Sequence, residues 1–302
     1  RIQTEDIYVS LSRELFQALV EPVRPLLADL PRNGRLTVVP HGVLNLLPFE
    51  ALLDGEGDFW AVRYQVSYLP SLSTLGALPR YRLCRDARLL TVTADDPAEP
   101  LRYASEEARR VAALFGDHAT SLADEATRDN VIKLSKEHPF ILFATHARAE
   151  RGTRDALDSP DQPGRFYLQL AGGDRLTTDD VDDLRLQPGL VALSACDTHL
   201  GPRLRGDELM TLSRAFLSAG TSSVLASLWR VEDKATAQIV TRFFAALTEG
   251  AEPAAALREA QRAYRASNGR QHPRYWAPWV LVGGRLPGSA PDPTVAAGCG
   301  QQ

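Results

Sequence analysis

Apolar residues are arranged along the chain in two different patterns, one typical of helices and one of buried strands. In the segment Leu11–Leu30 they recur every three to four positions, which predicts an amphipathic helix. The segments Phe140–Thr145, Leu190–Ala195 and Ser223–Leu228 are apolar almost without interruption, as in strands that are buried on both faces. Because such strands alternate with helical segments from residue 87 onward, we predict an α/β fold, a three-layer α/β/α sandwich with a mostly parallel central sheet.

The other predicted elements fit this alternation. The charged segment Arg148–Arg165, which contains Pro and Gly, is predicted to be a long loop. Residues 1–86 are assigned to an N-terminal part, 87–286 to the main α/β part and 287–302 to a disordered tail. Further strands are predicted at Leu36–Pro40, Gln65–Leu69, Arg88–Thr93 and Trp279–Val282, and further helices at Ser71–Leu78 (capped by Ser71), Ser105–Phe115, Thr127–Lys136, Asp207–Ala219, Lys234–Leu247 and Pro253–Ser267.

Composition narrows the class of protein. With 302 residues, of which 44% are hydrophobic and 24% charged, the chain has the composition of a globular protein. A net charge of −4 gives no electrostatic reason to expect a nucleic-acid or membrane partner, and no apolar run has the length of a membrane span. Three widely spaced cysteines without a CxxC pair favour a reducing cytoplasm and predict neither a disulfide framework nor a zinc site. We therefore expect neither a metal nor a cofactor. Because the sequence begins at Arg1 rather than at a methionine, we also expect it to be a piece of a longer protein.

Two residues capable of nucleophilic chemistry follow buried strands directly. His146 comes after the strand Phe140–Thr145, and Cys196 comes after the strand Leu190–Ala195. Reactive groups collect at the carboxyl ends of parallel strands, so the two side chains would meet if these strands are neighbours. An imidazole beside a thiol converts it to the nucleophilic thiolate, so the pair could act as a catalytic dyad.

Structural roles compete with this interpretation. A free cysteine is most often a small buried hydrophobic residue, and a histidine at a strand end is often structural. His199, three residues after Cys196, competes with His146 for the role of partner, although no predicted strand fixes it. His41, in a Pro-His-Gly turn, is interpreted as structural.

Eight short motifs occur along the chain in a characteristic order. They are Pro40–Phe49 (PHGVLNLLPF), Phe143–His146 (FATH), Leu193–Thr198 (LSACDT), Gly206–Leu209 (GDEL), Ala215–Gly220 (AFLSAG), Ser227–Asp233 (SLWRVED), Ala256–Gln261 (ALREAQ) and Trp276–Val280 (WAPWV). Together they resemble the CHAT domain, the caspase-like peptidase module associated with tetratricopeptide repeats. The resemblance spans about residues 10–285, and the spacing of 50 residues between His146 and Cys196 matches that of caspases.

The resemblance implies a caspase-like fold and a cysteine endopeptidase of the clan that includes caspases and separase. On it, His146 is the catalytic histidine, Cys196 is the nucleophile, and the N–H groups of Ala147 and Cys196 form the oxyanion hole. It also implies a protein substrate and regulation by an upstream tetratricopeptide or other sensor region. Two positions depart from the family pattern, since Ala147 and His199 stand where Gly is usual. An alanine at 147 would be strained if its φ were positive.

The strand Ser223–Leu228 resembles the caspase strand whose edge pairs with substrate, which implies that Ser227, Trp229 and Asp233 line the substrate pocket. A carboxylate there would favour Arg or Lys before the cleaved bond. Asp233 could instead be the N-cap of the helix Lys234–Leu247, and Asp197 and Asp207 are rival acids on neighbouring loops. A catalytically silent scaffold of the same fold, acting through protein–protein interaction, is the alternative function. Sequence motifs of other acyl enzymes on α/β sheets, such as GxSxG, are absent.

Overall fold

An eight-stranded sheet with helices on both faces organises the chain. The computed structural model describes residues 2–79, 87–94, 96, 99–149, 166–194, 207–229, 231–268 and 272–284. The strands are β1 Arg35–Val38, β2 Gln65–Tyr68, β3 Leu89–Thr93, β4 Ala119–Leu122, β5 Phe140–Ala144, β6 Ala147–Ala149, β7 Phe166–Gln169, β8 Arg175–Thr177, β9 Leu190–Leu193, β10 Ser223–Ser227 and β11 Trp279–Gly283. The α-helices are α1 Ile2–Leu19, α2 Trp60–Arg63, α3 Ala104–Phe115, α4 Arg128–Ser135, α5 Thr178–Asp182, α6 Asp207–Ser218, α7 Asp233–Thr248 and α8 Pro253–Asn268.

The order of the strands in the large sheet is β1-β2-β11-β10-β9-β5-β3-β4. All neighbours in it run parallel except β10 and β11, which are antiparallel. The prediction of a mostly parallel sheet is therefore confirmed, and the N-terminal strands β1 and β2 extend the same sheet as the later ones. Strands β6, β7 and β8 form a separate three-stranded antiparallel sheet.

Alternate residues of the central strands supply two hydrophobic cores, one on each face of the sheet. In β5, Leu142 belongs to the core that includes residues of α3, α7 and α8, whereas Phe143 belongs to the core that includes residues of α4, α5 and α6. Both side chains are fully buried. Two buried faces explain why this strand is continuously apolar, and they make the fold a three-layer α/β/α sandwich.

Several predicted elements differ from the structure. The helix predicted at Leu11–Leu30 ends at Leu19, and a 3₁₀ helix, Glu21–Leu27, follows it. Pro25 lies inside that segment, and it can neither donate the backbone hydrogen bond of an α-helix nor avoid a clash with the preceding turn. Ser71 precedes a 3₁₀ helix, Leu72–Gly76, and makes no side-chain capping bond to it.

The region after β5 also differs from the prediction. Arg148, expected in a loop, belongs to strand β6, because the segment pairs with β7. Residues 150–165 and the predicted tail 287–302 lie outside the described residues. The short elements β4, β7, β8, α2 and α5 were not predicted from the sequence, and each has only three to five residues.

Candidate active site

His146 lies at the carboxyl end of β5, and its side chain is buried. Strand β5 pairs in parallel with β9, with Phe143 opposite Leu193, and Ser194 N donates to the Phe143 carbonyl at 2.9 Å. The strands that precede His146 and Cys196 are therefore neighbours, as the dyad hypothesis requires. In the sequence, His146 and Cys196 each lie three positions after the paired residues Phe143 and Leu193. Cys196 itself lies outside the described residues.

The backbone around His146 is held by the last residue of β7. The Thr145 hydroxyl donates to the Gln169 carbonyl at 2.6 Å, and Gln169 N donates to the His146 carbonyl at 2.8 Å. Thr145 is fully buried. Two hydrogen bonds, one from the Thr145 side chain and one to the His146 carbonyl, thus connect the end of the central strand to the small sheet.

The imidazole ring of His146 is oriented by a backbone carbonyl. Its Nε2 lies 2.7 Å from the carbonyl oxygen of Glu99, in the connection between β3 and α3. A carbonyl oxygen can only accept, so Nε2 carries the proton. In the neutral ring Nδ1 is then the unprotonated nitrogen, which is the atom that can act as a base.

A guanidinium links the segment that contains Glu99 to the small sheet. Arg148 Nη2 donates to Asp96 Oδ2 at 2.9 Å and to Glu99 Oε2 at 2.7 Å. Its Nε donates to Gln169 Oε1 at 2.9 Å, and Gln169 Nε2 donates to Asp96 Oδ2 at 3.2 Å. Gln169 thus bonds the backbone of His146, and both Arg148 and Gln169 bond the segment that holds its ring.

Ala147 lies opposite Leu168 in the β6–β7 ladder. Hydrogen-bonded and non-hydrogen-bonded pairs alternate in an antiparallel ladder. Gln169 N bonds the His146 carbonyl, so the next pair, Ala147 and Leu168, is a non-hydrogen-bonded one and the Ala147 N–H is directed away from β7. Asn33 is the only non-glycine residue with positive φ in the described part of the chain, so the strain considered for Ala147 is absent.

The residues predicted to line the substrate pocket have local hydrogen bonds of their own. The buried Ser227 hydroxyl donates to the Trp229 carbonyl, and Trp229 Nε1 donates to the Arg274 carbonyl at 3.1 Å. Asp233 is the first residue of α7, and its N-cap is Glu232, which makes no side-chain capping bond. The alternative that Asp233 is the N-cap is therefore wrong. Asp197 lies outside the described residues.

The structure adds Glu107, an acid that the sequence analysis did not select. Its side chain is only 2% exposed and bonds that of Ser194, at the end of β9. Burial raises the pKa of Glu107 to about 8; the Ser194 bond lowers it and the charge of Asp233 raises it further. Glu107 lies four and eight positions before Val111 and Phe115, which are buried on the same helix. That spacing was the signal that could have identified it.

Neither a metal-binding cluster nor a membrane-spanning helix is found in the described residues. Within them, no group of three or more His, Cys, Asp or Glu side chains could hold a metal ion. None of the helices in this part of the chain is both long enough and apolar enough to cross a membrane.

Comparisons with known proteins agree with the resemblance. The family model of the CHAT domain matches residues 9–284. Tetratricopeptide repeat protein 28 of Mus musculus is 26% identical to this chain, and the Homo sapiens protein of that name is 25% identical. Each match covers 93% of this chain and 13% of the relative, so the chain spans about one eighth of the length of these curated relatives.

Solved structures show the same fold. The Arg-specific cysteine proteinase gingipain R (RgpB) superposes with a TM-score of 0.55 and 11% identity, over 92% of this chain and 67% of that one. A structure of the Saccharomyces cerevisiae separase–securin complex gives a TM-score of 0.50 and 12% identity, over 79% of this chain and 15% of the matched one. The expected caspase-like α/β architecture is thereby confirmed.

Proposed function

Because the chain belongs to the CHAT domain family, we propose that it is a cysteine endopeptidase that hydrolyses peptide bonds in proteins with the dyad His146 and Cys196. The observation that carries the proposal is the hydrogen bond from His146 Nε2 to the Glu99 carbonyl. It leaves Nδ1 as the basic nitrogen of a buried imidazole, next to the strand that leads to Cys196.

The reaction would proceed through an acyl-enzyme. His146 Nδ1 accepts the Cys196 thiol proton, and the thiolate attacks the peptide carbonyl carbon to form a C–S bond. The N–H groups of Ala147 and Cys196 stabilise the resulting oxyanion, and His146 gives its proton to the amine as the C–N bond breaks. Water then attacks the thioester with His146 as base, which releases the acid and restores the thiol. The direction of the Ala147 N–H, away from β7, supports its role.

For the substrate, we propose a preference for Arg or Lys before the cleaved bond. Asp233 begins α7 without serving as its cap, and its charge acts on Glu107, which bonds Ser194 at the end of β9. A carboxylate at this place could bind a cationic side chain of the substrate. Ser227 and Trp229 are proposed to line the same pocket, with Asp197 and Asp207 as the rival acids. Glu107 contributes little negative charge at pH 7, because its pKa is about 8.

For the partner, we propose an upstream helical repeat region of the same or another chain, acting in the cytoplasm. Support comes from the relatives, which are named for tetratricopeptide repeats and are far longer than this chain. Helix α1 exposes Ile7, Leu11 and Leu15, one turn apart on one face. Such a stripe suits packing against another helix. Replacing Leu11 with Ser should weaken association with a coexpressed repeat region and leave the fold intact.

Active-site labelling tests the peptidase proposal against the scaffold alternative. An electrophilic peptide probe ending in Arg should label Cys196 in the parent chain, and a peptide library should be cleaved. The variant Cys196→Ala should lose both properties, whereas Cys84→Ala should keep both. Labelling no faster than that of a free thiol, together with an uncleaved library, would favour the scaffold.

A further inference from the structure

We propose that Arg148 is a positioning residue for His146: its guanidinium fixes the segment whose Glu99 carbonyl holds the imidazole ring. The expected effect of Arg148 on catalysis rests on the proposed function, whereas its expected effect on the tautomer of His146 does not.

Several charge-assisted contacts are made by the guanidinium of Arg148. Arg148 Nη2 reaches two carboxylates of the β3–α3 connection, Asp96 at 2.9 Å and Glu99 at 2.7 Å. Its Nε reaches Gln169 Oε1 at 2.9 Å, and Gln169 also bonds Asp96. All of these side chains are partly buried, with Arg148 27% and Asp96 18% exposed. Charge-assisted bonds that are partly withdrawn from water are stronger than those of an exposed ion pair.

The position of Glu99 in the fold explains why it needs this support. It lies in a connection rather than in a strand, and the backbone bond described there is a turn bond, from Glu99 N to the Asp96 carbonyl at 3.0 Å, rather than a strand ladder. Arg148, by contrast, belongs to β6, which starts directly after His146 and pairs with β7. The guanidinium therefore connects the segment of Glu99 to a strand that is held by sheet pairing. The Glu99 carbonyl in turn determines which nitrogen of the His146 ring is protonated.

The planar shape of the Arg148 guanidinium matters as well as its charge. Asp96 and Glu99 are like charges, and removing the cation between them would drive them apart and displace the Glu99 carbonyl. A lysine would keep a positive charge, but one ammonium lacks the planar fork that reaches Gln169 and the two carboxylates together. We therefore expect Arg148→Lys to restore the function only in part.

The test uses Arg148→Met, which keeps the aliphatic length, and Arg148→Lys. Arg175→Met is the matched control, since Arg175 lies on β8 of the same small sheet with its guanidinium over the Tyr167 ring. The first measurement is the ¹⁵N spectrum of ring-labelled histidine at about pH 8, where an ordinary imidazole is neutral. The variant His146→Gln identifies the His146 signals. The second is kcat and KM for a peptide substrate found with the parent chain.

In the parent chain and in Arg175→Met, His146 should be protonated at Nε2 alone. In Arg148→Met the signals should shift towards a mixture of tautomers, and kcat should fall about 100-fold with KM changed less than about threefold. For Arg148→Lys we expect a loss of about tenfold. An unchanged tautomer in Arg148→Met would overturn the inference, and so would a full rescue by lysine. A parent chain that cleaves no peptide but shows the tautomer shift would support the positioning role while contradicting the proposed function.

Discussion

Gly189 packs so closely against Pro139 that a Cβ atom at position 189 would lie 1.9 Å from the Pro139 carbonyl oxygen. The two residues stand directly before β9 and β5, the strands that lead to Cys196 and His146. Leu190 N donates to the same carbonyl oxygen at 2.9 Å. The contact thus sets the register of these two strands at the end opposite the proposed active site.

We expect Gly189→Ala to destabilise the protein by about 3 kcal/mol or more, because the methyl group meets backbone atoms that cannot rotate away. Gly55→Ala is the matched control: no atom lies within 4 Å of a Cβ there, and the free energy of unfolding should change by less than about 0.5 kcal/mol. Urea unfolding of both variants measures the difference. Equal stabilities would show that the strands can separate at this point without cost.

The dyad makes a prediction about non-additivity. Cys196→Ala and His146→Ala should each abolish peptide cleavage, and the double variant should lose no more than either single one, because the two residues act as a unit. Cleavage of a fluorogenic peptide measures the losses, with circular dichroism as the check on folding. Losses that add, or an active Cys196→Ala protein, would contradict the mechanism.

The sequence predicted the elements whose pattern comes from burial. Strand β5 was predicted within one residue because both of its faces are covered, and the position of His146 at its end followed. Strand β4 was missed because it is a half-exposed edge strand of four residues. The antiparallel direction of β11 was not predicted either, since hydrophobicity does not encode direction.

The hydrogen bonds that hold His146 and its ring could not be predicted from the sequence, for a different reason. The Glu99 carbonyl is a backbone group, which carries no side-chain signature. Arg148 and Gln169 come together only because β6 pairs with β7, two three- to four-residue strands without clear alternation. Contacts of this kind depend on tertiary pairing, so a single sequence does not reveal them.

Glu107 should make stability depend on pH. Its pKa is about 8 in the folded chain and near the ordinary value of 4.5 when unfolded, so the native state binds more protons between these values. Stability is therefore lost as pH rises, by up to about 1.4 kcal/mol per pH unit from this group. In Glu107→Gln that part of the slope should vanish in urea unfolding between about pH 5 and 8. Glu106→Gln, at an exposed neighbour that pairs with Arg110, should keep the parent slope.

Substitution of Asp233 tests the predicted preference for Arg or Lys before the cleaved bond. If its carboxylate binds the basic side chain before the cleaved bond, Asp233→Asn removes the charge while keeping the size of the side chain. Loss of one charge-assisted hydrogen bond corresponds to about 1.5–3 kcal/mol, so kcat/KM for Arg and Lys substrates should fall about 10- to 100-fold. Substrates with an apolar residue at that position should be unaffected.

The neighbouring acid provides the control for this experiment. Glu232 precedes Asp233 and is exposed, so Glu232→Gln changes the net charge equally without removing the proposed ligand. It should leave kcat/KM for basic substrates within about twofold, because charges exposed to solvent are screened. If Asp233→Asn keeps the preference and Asp197→Asn or Asp207→Asn loses it, the recognition belongs to one of those rival acids. Cleavage of a peptide library by all four variants separates these cases, and a parent chain that cleaves after apolar residues would contradict an acidic pocket altogether.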